Sequence, residues 1–426
     1  MKRNNTVVLV SLMALLAFMI SACSSDKTGD VKELLKTIPS DASVVAVMDI
    51  EQTLKEFGCK VKDGAVTPGE AFAAKIREQK NEDIKFMADL VMDGGVEPSC
   101  CAIFAEGYNI YITGFISDTD RFKNKVGERS GEAFVTEDNV ATSGNIACTS
   151  SRFWICLSSR NSIQAKDIKF FQNLSEKQSY LSGEASKYLI ESDNCMRGWG
   201  DIKGCLNALG LDFTTKAAYQ MALEALFADA VEFKWDLDIE KDELEMDLTL
   251  LNSKGGIAAF LYPTSKINIK EMKESNLGGA AIAALAISPK FTSRMQKDTK
   301  GKGMSVVGML SNMISEVDGT VLIASGKNSK LSGVIPVKGN NTGELTSLLT
   351  QYDMKVTREK GSLYFNNGET DGSLKAAEAA DMFKDCMGGV VITPENWIPD
   401  SEGYIALLLK PEKGGMELII KAKGLF

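Results

Sequence analysis

The 426-residue chain contains no histidine. That absence removes the commonest general base at neutral pH and the commonest transition-metal ligand. Ser-His-Asp hydrolases, Cys-His proteases and HExxH zinc proteases are excluded with it, and most catalytic zinc sites also need at least one imidazole. No CxxC pair occurs, so neither a zinc ribbon nor a thioredoxin-type redox site is indicated. Long basic runs are missing too. With 48 basic against 57 acidic residues the net charge is −9, and nucleic acid is not expected as a partner. Only one long apolar run is present, Val7 to Ile20, and its 14 residues fall short of the roughly 20 that a permanent membrane-spanning helix needs.

That run is where the positive evidence begins. Lys2 and Arg3 precede it, and Ile20-Ser21-Ala22-Cys23 close it. A positive start, an apolar middle and small residues before a cut site describe an export signal over residues 1–22. The closing tetrapeptide resembles the lipobox of bacterial lipoproteins. The resemblance implies peptidase recognition of Ile20, Ser21 and Ala22, cleavage after Ala22, and diacylglycerol on the Cys23 sulfur. This covalent lipid is the one non-protein group expected; no cofactor and no metal site are indicated. Residues 23–38 then read as a polar tether, SSDKTGD, running into the short amphipathic VKELLKTIPSD.

Beyond the tether, 44% apolar residues is an ordinary globular composition. The body reads as one unit written twice. SDASVVAVMDIEQTLKEFG (40–58) and LGGAAIAALAISPKFTSRMQ (277–296) each give a buried strand running into a helix. Residues 99–126 and 319–352 each give strand, turn, strand, then helix. A hairpin arrangement at 132–159 has a shorter counterpart at 354–369, and Cys-Met-x-Gly recurs at 195–198 and 386–389. Long hairpins close the halves at 231–255 and 403–424. Five blocks in one order predict a duplication: an α+β fold of two similar units, mainly antiparallel sheet with packed helices. The first unit spans 39–265 and carries a helical insertion near 160–230; the second spans 266–426.

In the first closing hairpin, Phe233, Trp235, Leu237 and Ile239 alternate with charged residues, which predicts one buried and one wet face. Its acidic row, Asp236, Asp238, Glu240, Glu245 and Asp247, diverges along a ribbon and does not converge as calcium ligands must, so it reads as a solvated face. The second hairpin is apolar on both faces around Ile405–Leu409 and Leu418–Ile420, so something is expected to cover it. GKGMSVVG at 301–308 fits neither GxGxxG nor the P-loop spacing, and Ser24-x-x-Lys27 lies in the tether with no scaffold around it. Of the other eight cysteines, Cys148 and Cys156 flank a predicted turn and Cys195 and Cys205 bracket a loop-like stretch; free thiols and disulfides both stay open. Phe153-Trp154 reads as core. Trp199, between glycines, is the one candidate ligand contact.

The entry strand Ile38-Pro39-Ser40-Asp41-Ala42, following a lipobox and tether and leading into duplicated units, resembles a family of Bacteroidetes lipoproteins whose shared domain has no assigned function. The family therefore supplies no catalytic residues. Ser24, in place of an aspartate after the lipid cysteine, points to the outer membrane, with the periplasmic or surface face left open. Two functional classes follow. A non-enzymatic binding or scaffolding module, holding a protein or glycan ligand, fits the duplication and the missing histidine. A histidine-free carboxylate hydrolase acting on glycan or peptidoglycan is the alternative.

Overall fold

The structure, a computed structural model, describes residues 28–424 apart from 57, 63, 79–80, 158–161, 209–212, 241–242, 300–313, 340–342 and 395–402. Ile20, Ser21, Ala22, Cys23, Ser24, Lys27 and the 301–308 segment lie outside the described residues. The chain forms two compact units. The first takes residues up to Ala222 with 230–241 and 253–255; the second takes 223–229, 242–252 and 256–426. The division thus passes between the two strands of the predicted 231–255 hairpin.

In the first unit the sheet strands are β1 (Val44–Asp49), β2 (Val96–Glu106), β3 (Asn109–Ile116), β4 (Val140–Ser143), β5 (Ile146–Cys148), β6 (Arg152–Cys156), β7 (Met196–Asp201) and β8 (Ala230–Glu240). Their order is β4–β5–β6–β3–β2–β1–β7–β8, with the short strand Val135–Glu137 pairing beyond β4, and every one of these pairings is antiparallel. The apolar run VVAVM makes β1 a central strand, buried on both faces. One face packs Val45, Val47, Phe104 and Trp154 against α1 (Thr28–Leu35), α2 (Ala165–Gln172) and α3 (Glu184–Glu191). The other face carries a row in direct register, Ala46–Ile103–Ile112–Ile155, each 9% exposed or less. Phe122 of the helix at Thr119–Ser130 stacks on Phe153 of this face with ring centroids 5.7 Å apart. Gly114 makes room for Phe153, because a Cβ there would come within 2.8 Å of the ring.

The second unit contains β9 (Glu243–Asn252), β10 (Ala281–Ile287), β11 (Gly319–Ser325), β12 (Leu331–Pro336), β13 (Lys355–Glu359), β14 (Ser362–Asn366), β15 (Gly388–Ile392), β16 (Tyr404–Glu412) and β17 (Gly415–Lys423). Its order is β13–β14–β12–β11–β10–β15–β16–β17–β9, again antiparallel throughout. Matched block by block, β1, β2, β3, β7 and β8 have the same neighbours as β10, β11, β12, β15 and β16. The two halves share one topology, as the repeated blocks predict. One face of this sheet packs Ile282, Ala284, Leu322, Val391 and Leu408 against Met272 and the helical segment holding Ala376, Ala380 and Phe383. A separate cluster, Ile287, Ile335, Leu363 and Phe365 with Leu345 of the helix Gly343–Gln351, closes the far end of the opposite face.

Candidate interaction surface

Val321 and Ile323 pack against this cluster, and beyond them the face is partly exposed among the described residues. Two rows cross six strands in direct register: Val321–Leu285–Gly388–Leu409–Leu418–Leu248, and Ile323–Ala283–Val390–Leu407–Ile420–Met246. Neither row contains a charged or polar side chain. Leu285, Leu407 and Leu409 are each 38% exposed, and Val390, Leu418, Ile420, Met246 and Leu248 are half-buried. Leu285 leans over Gly388, where a Cβ would stand 2.9 Å from its Cδ1. On the first unit's matched strand β8 the same face carries Phe233 and Trp235, both half-buried, and Leu237, which is buried. Among the described residues, the cover expected over Ile405–Leu409 does not extend over Leu407 and Leu409. A contiguous apolar face exposed on a folded domain marks a contact surface.

The first unit holds a half-open cleft of about 400 Å³, lined by Glu33, Lys36, Thr37, Arg152, Glu176 and Ser179 among others. Arg152 Nη1 donates to the Glu33 carbonyl (3.1 Å) and to Thr37 Oγ1 (2.9 Å), and its guanidinium lies 5.0 Å over the Phe115 ring. Burial pushes the Arg152 pKa down, opposed by the Glu33 charge. This arginine staples α1 to the hairpin. Lys36 holds Glu33 in an ion pair, and both Glu33 and Glu176 are exposed. The general acid of a glycosidase sits in a desolvated pocket instead. The carboxyl of Glu106 is pushed up by burial and by the charges of Asp41 and Asp167, but Glu106 does not line the cleft.

Trp199 does not sit in an exposed loop. It occupies β7 opposite Val45 and Lys234, is 7% exposed, and packs its ring 5.8 Å from Tyr188. Its flanking glycines create space across the sheet: a Cβ at Gly198 would meet Trp235 at 2.3 Å, and one at Gly200 would meet Phe233 at 2.6 Å. The sequence shows glycines around a tryptophan, and only the register shows that they accommodate aromatic neighbours. The acidic row also differs from the expected wet face. Asp236 accepts a hydrogen bond from the Tyr188 hydroxyl (2.9 Å), and Glu245 pairs with Lys421 at 2.7 Å.

The eight described cysteines are free thiols. Cys148 stands opposite Phe153 and Cys156 opposite Tyr111, so the turn does not place the two sulfurs face to face. Burial pushes Cys101 up to about 12 and Cys148 to about 11, and pushes Cys195 up as well. Thiols held this far above neutrality are poor nucleophiles. Iodoacetamide at pH 8 is expected to alkylate half-buried Cys205 alone among these eight, with the other seven reacting after denaturation. Peptide mass spectrometry reads this directly, and rapid labelling of Cys101 or Cys148 in the folded protein contradicts it. Among the described residues no group of three His, Cys, Asp or Glu side chains is placed to hold a metal ion. No helix among them is long and apolar enough to cross a membrane.

No family model and no curated protein matches the sequence. Among solved structures, crystal form I of TP0453, a Treponema lipoprotein, is similar with a TM-score of 0.31 and 11% identity, covering 82% of this chain and 96% of that one. Crystal form IV of the same protein gives a TM-score of 0.33 and 15% identity over 52% of this chain and 83% of that one. Likeness at that level carries neither fold nor activity from one protein to the other.

Proposed function

We propose that the protein is a lipid-anchored lipoprotein of the outer membrane that works as a non-enzymatic binding module, held by Cys23 and docking a partner on the open sheet face of its second unit. The observation that carries the reading is the 38% exposure of Leu285, Leu407 and Leu409 in the middle of an unbroken apolar surface. A protein surface suits the site better than a glycan. Sugars are gripped by aromatic rings and hydrogen-bonding side chains, and neither row supplies any.

Affinity capture from the native envelope tests the reading. The wild-type chain is expected to retain a partner that Leu407→Lys with Leu409→Glu loses, while Leu408→Met, on the covered face, retains it. Each charge would have to enter an apolar contact unpaired, which costs several kcal/mol in desolvation. Equal capture by wild type and the double variant would remove this face from the function.

A further inference from the structure

We propose that the half-open cleft of the first unit binds a small organic carboxylate on the free edge of the Arg152 guanidinium. The site is independent of the apolar face of the second unit. An arginine presents five N–H donors in a planar fork. Arg152 uses Nη1 for the Glu33 carbonyl and Thr37 Oγ1. Nε and Nη2 have no partner among the described residues, and both reach solvent on a residue that lines the cleft. These two nitrogens form the side of the fork whose parallel N–H bonds match the two oxygens of a carboxylate.

Charge and rigidity point the same way. Arg152 makes no ion pair among the described residues, and Glu33, whose charge acts on it, gives its carboxylate to Lys36. Arg121 and Arg294 differ in this respect, since Asp93 and Asp298 pair with them. A half-buried cation has lost part of its hydration, and a bound anion would replace it. The guanidinium is also held in place, by its two Nη1 bonds and by the Phe115 ring 5.0 Å away. A ligand therefore does not have to order it.

The rest of the lining sets the class of ligand. Lys36 and Arg152 are balanced by Glu33 and Glu176, so a multiply charged anion such as a phosphate monoester would meet two carboxylates. A single carboxylate avoids that repulsion. Half-buried Leu174 and Leu181 offer an apolar wall, while Ser151 and Gln172 offer a hydroxyl and an amide. A cleft of about 400 Å³ lies in the range of small-molecule sites and accommodates a body the size of an acylated amino acid. Such a carboxylate belongs either to a free small molecule or to the C-terminus of a peptide.

The test follows the Arg152 Nε–H signal by NMR in the full chain labelled with ¹⁵N-arginine, and Arg152→Lys assigns the signal. The probes are N-acetyl-leucine, its methyl ester, the peptide Ala-Ala-Ala-Leu with a free carboxyl end, and chloride at matched ionic strength. The two acids are expected to shift the signal saturably, with half-saturation near about 1 mM, while the ester and chloride leave it unmoved. The Nε–H of Arg121 is expected to stay in place throughout. Ser151→Trp, at an exposed position on the rim, is expected to weaken binding about tenfold without changing the thermal midpoint. Tighter binding of N-acetyl-leucine assigns the site to a free carboxylate, and tighter binding of the peptide assigns it to a chain terminus; either supports the site. A shift that chloride or the ester reproduces overturns it. So does the absence of any saturable shift with both acids in the folded wild-type chain, a readout that no destabilised variant enters.

Discussion

Replacing Trp154 by alanine is expected to cost about 3–5 kcal/mol, the range for deleting a large aromatic from a closed core. Trp154 is 0% exposed and lies opposite Thr113 and Ala147 on the face that packs against α1, α2 and α3. Its neighbours are strand side chains fixed by register, so they have little freedom to collapse into the vacated space. A domain's whole stability is of the order of 5–15 kcal/mol, so the first unit would be brought close to unfolding. Trp154→Phe makes an informative contrast. It loses less volume and removes an indole N–H that has no hydrogen-bond partner among the described residues. Its cost is expected to be nearer about 1 kcal/mol. Denaturant midpoints of the two variants check the pair; similar losses for both would place Trp154 outside a tightly packed core.

The second large effect concerns location. Cys23→Ala is expected to move the protein from the membrane fraction to the soluble fraction, or to leave it unprocessed at its full length. Each buried acyl methylene contributes about 0.8 kcal/mol, and two or more chains are needed for stable anchoring. Removing the acceptor sulfur removes all of that at once. Ser24→Ala, one residue on, is expected to change nothing. Fractionation together with incorporation of labelled palmitate reads both outcomes, and a Cys23→Ala chain that stays on the membrane would contradict the anchor.

Much of the fold was legible because its signals are local. VVAVM announces a buried strand, and Gly107, between β2 and β3, adopts φ +59 as a tight turn requires. The order of five blocks then carries the topology, since short antiparallel connections leave few ways to pair neighbouring strands. What escaped the sequence is set by long-range register. MRGWGD reads as a loop until β7 is seen between β1 and β8, where Gly198 and Gly200 admit Trp235 and Phe233. Cys148 and Cys156 look opposed until a register offset separates them.

The docking face was half visible. Ile405–Leu409 and Leu418–Ile420 show their two-faced apolar character in sequence, yet a helix cover and a partner cover leave the same pattern. The contributions of Leu285, Val390 and Met246 come from strands far apart in the chain, and only the pairing of β10, β15 and β9 with their neighbours makes them one surface. AIAALAI and LEMDLTLL do carry the alternation that puts Leu285 and Met246 on one side of their strands. Nothing in either segment says that this side stays open.

Hydroxyl-radical footprinting addresses that openness most directly. The purified, delipidated chain and the chain in its native envelope are oxidised in parallel, and modification is read by peptide mass spectrometry at Leu285, Leu407 and Leu409. The expected result is ready oxidation of all three in the purified protein and strong protection in the envelope, with exposed Tyr108 and Tyr352 labelled equally in both. Equal labelling of the three leucines in the two states, or resistance in the purified chain, would contradict an open face that is occupied where the protein works.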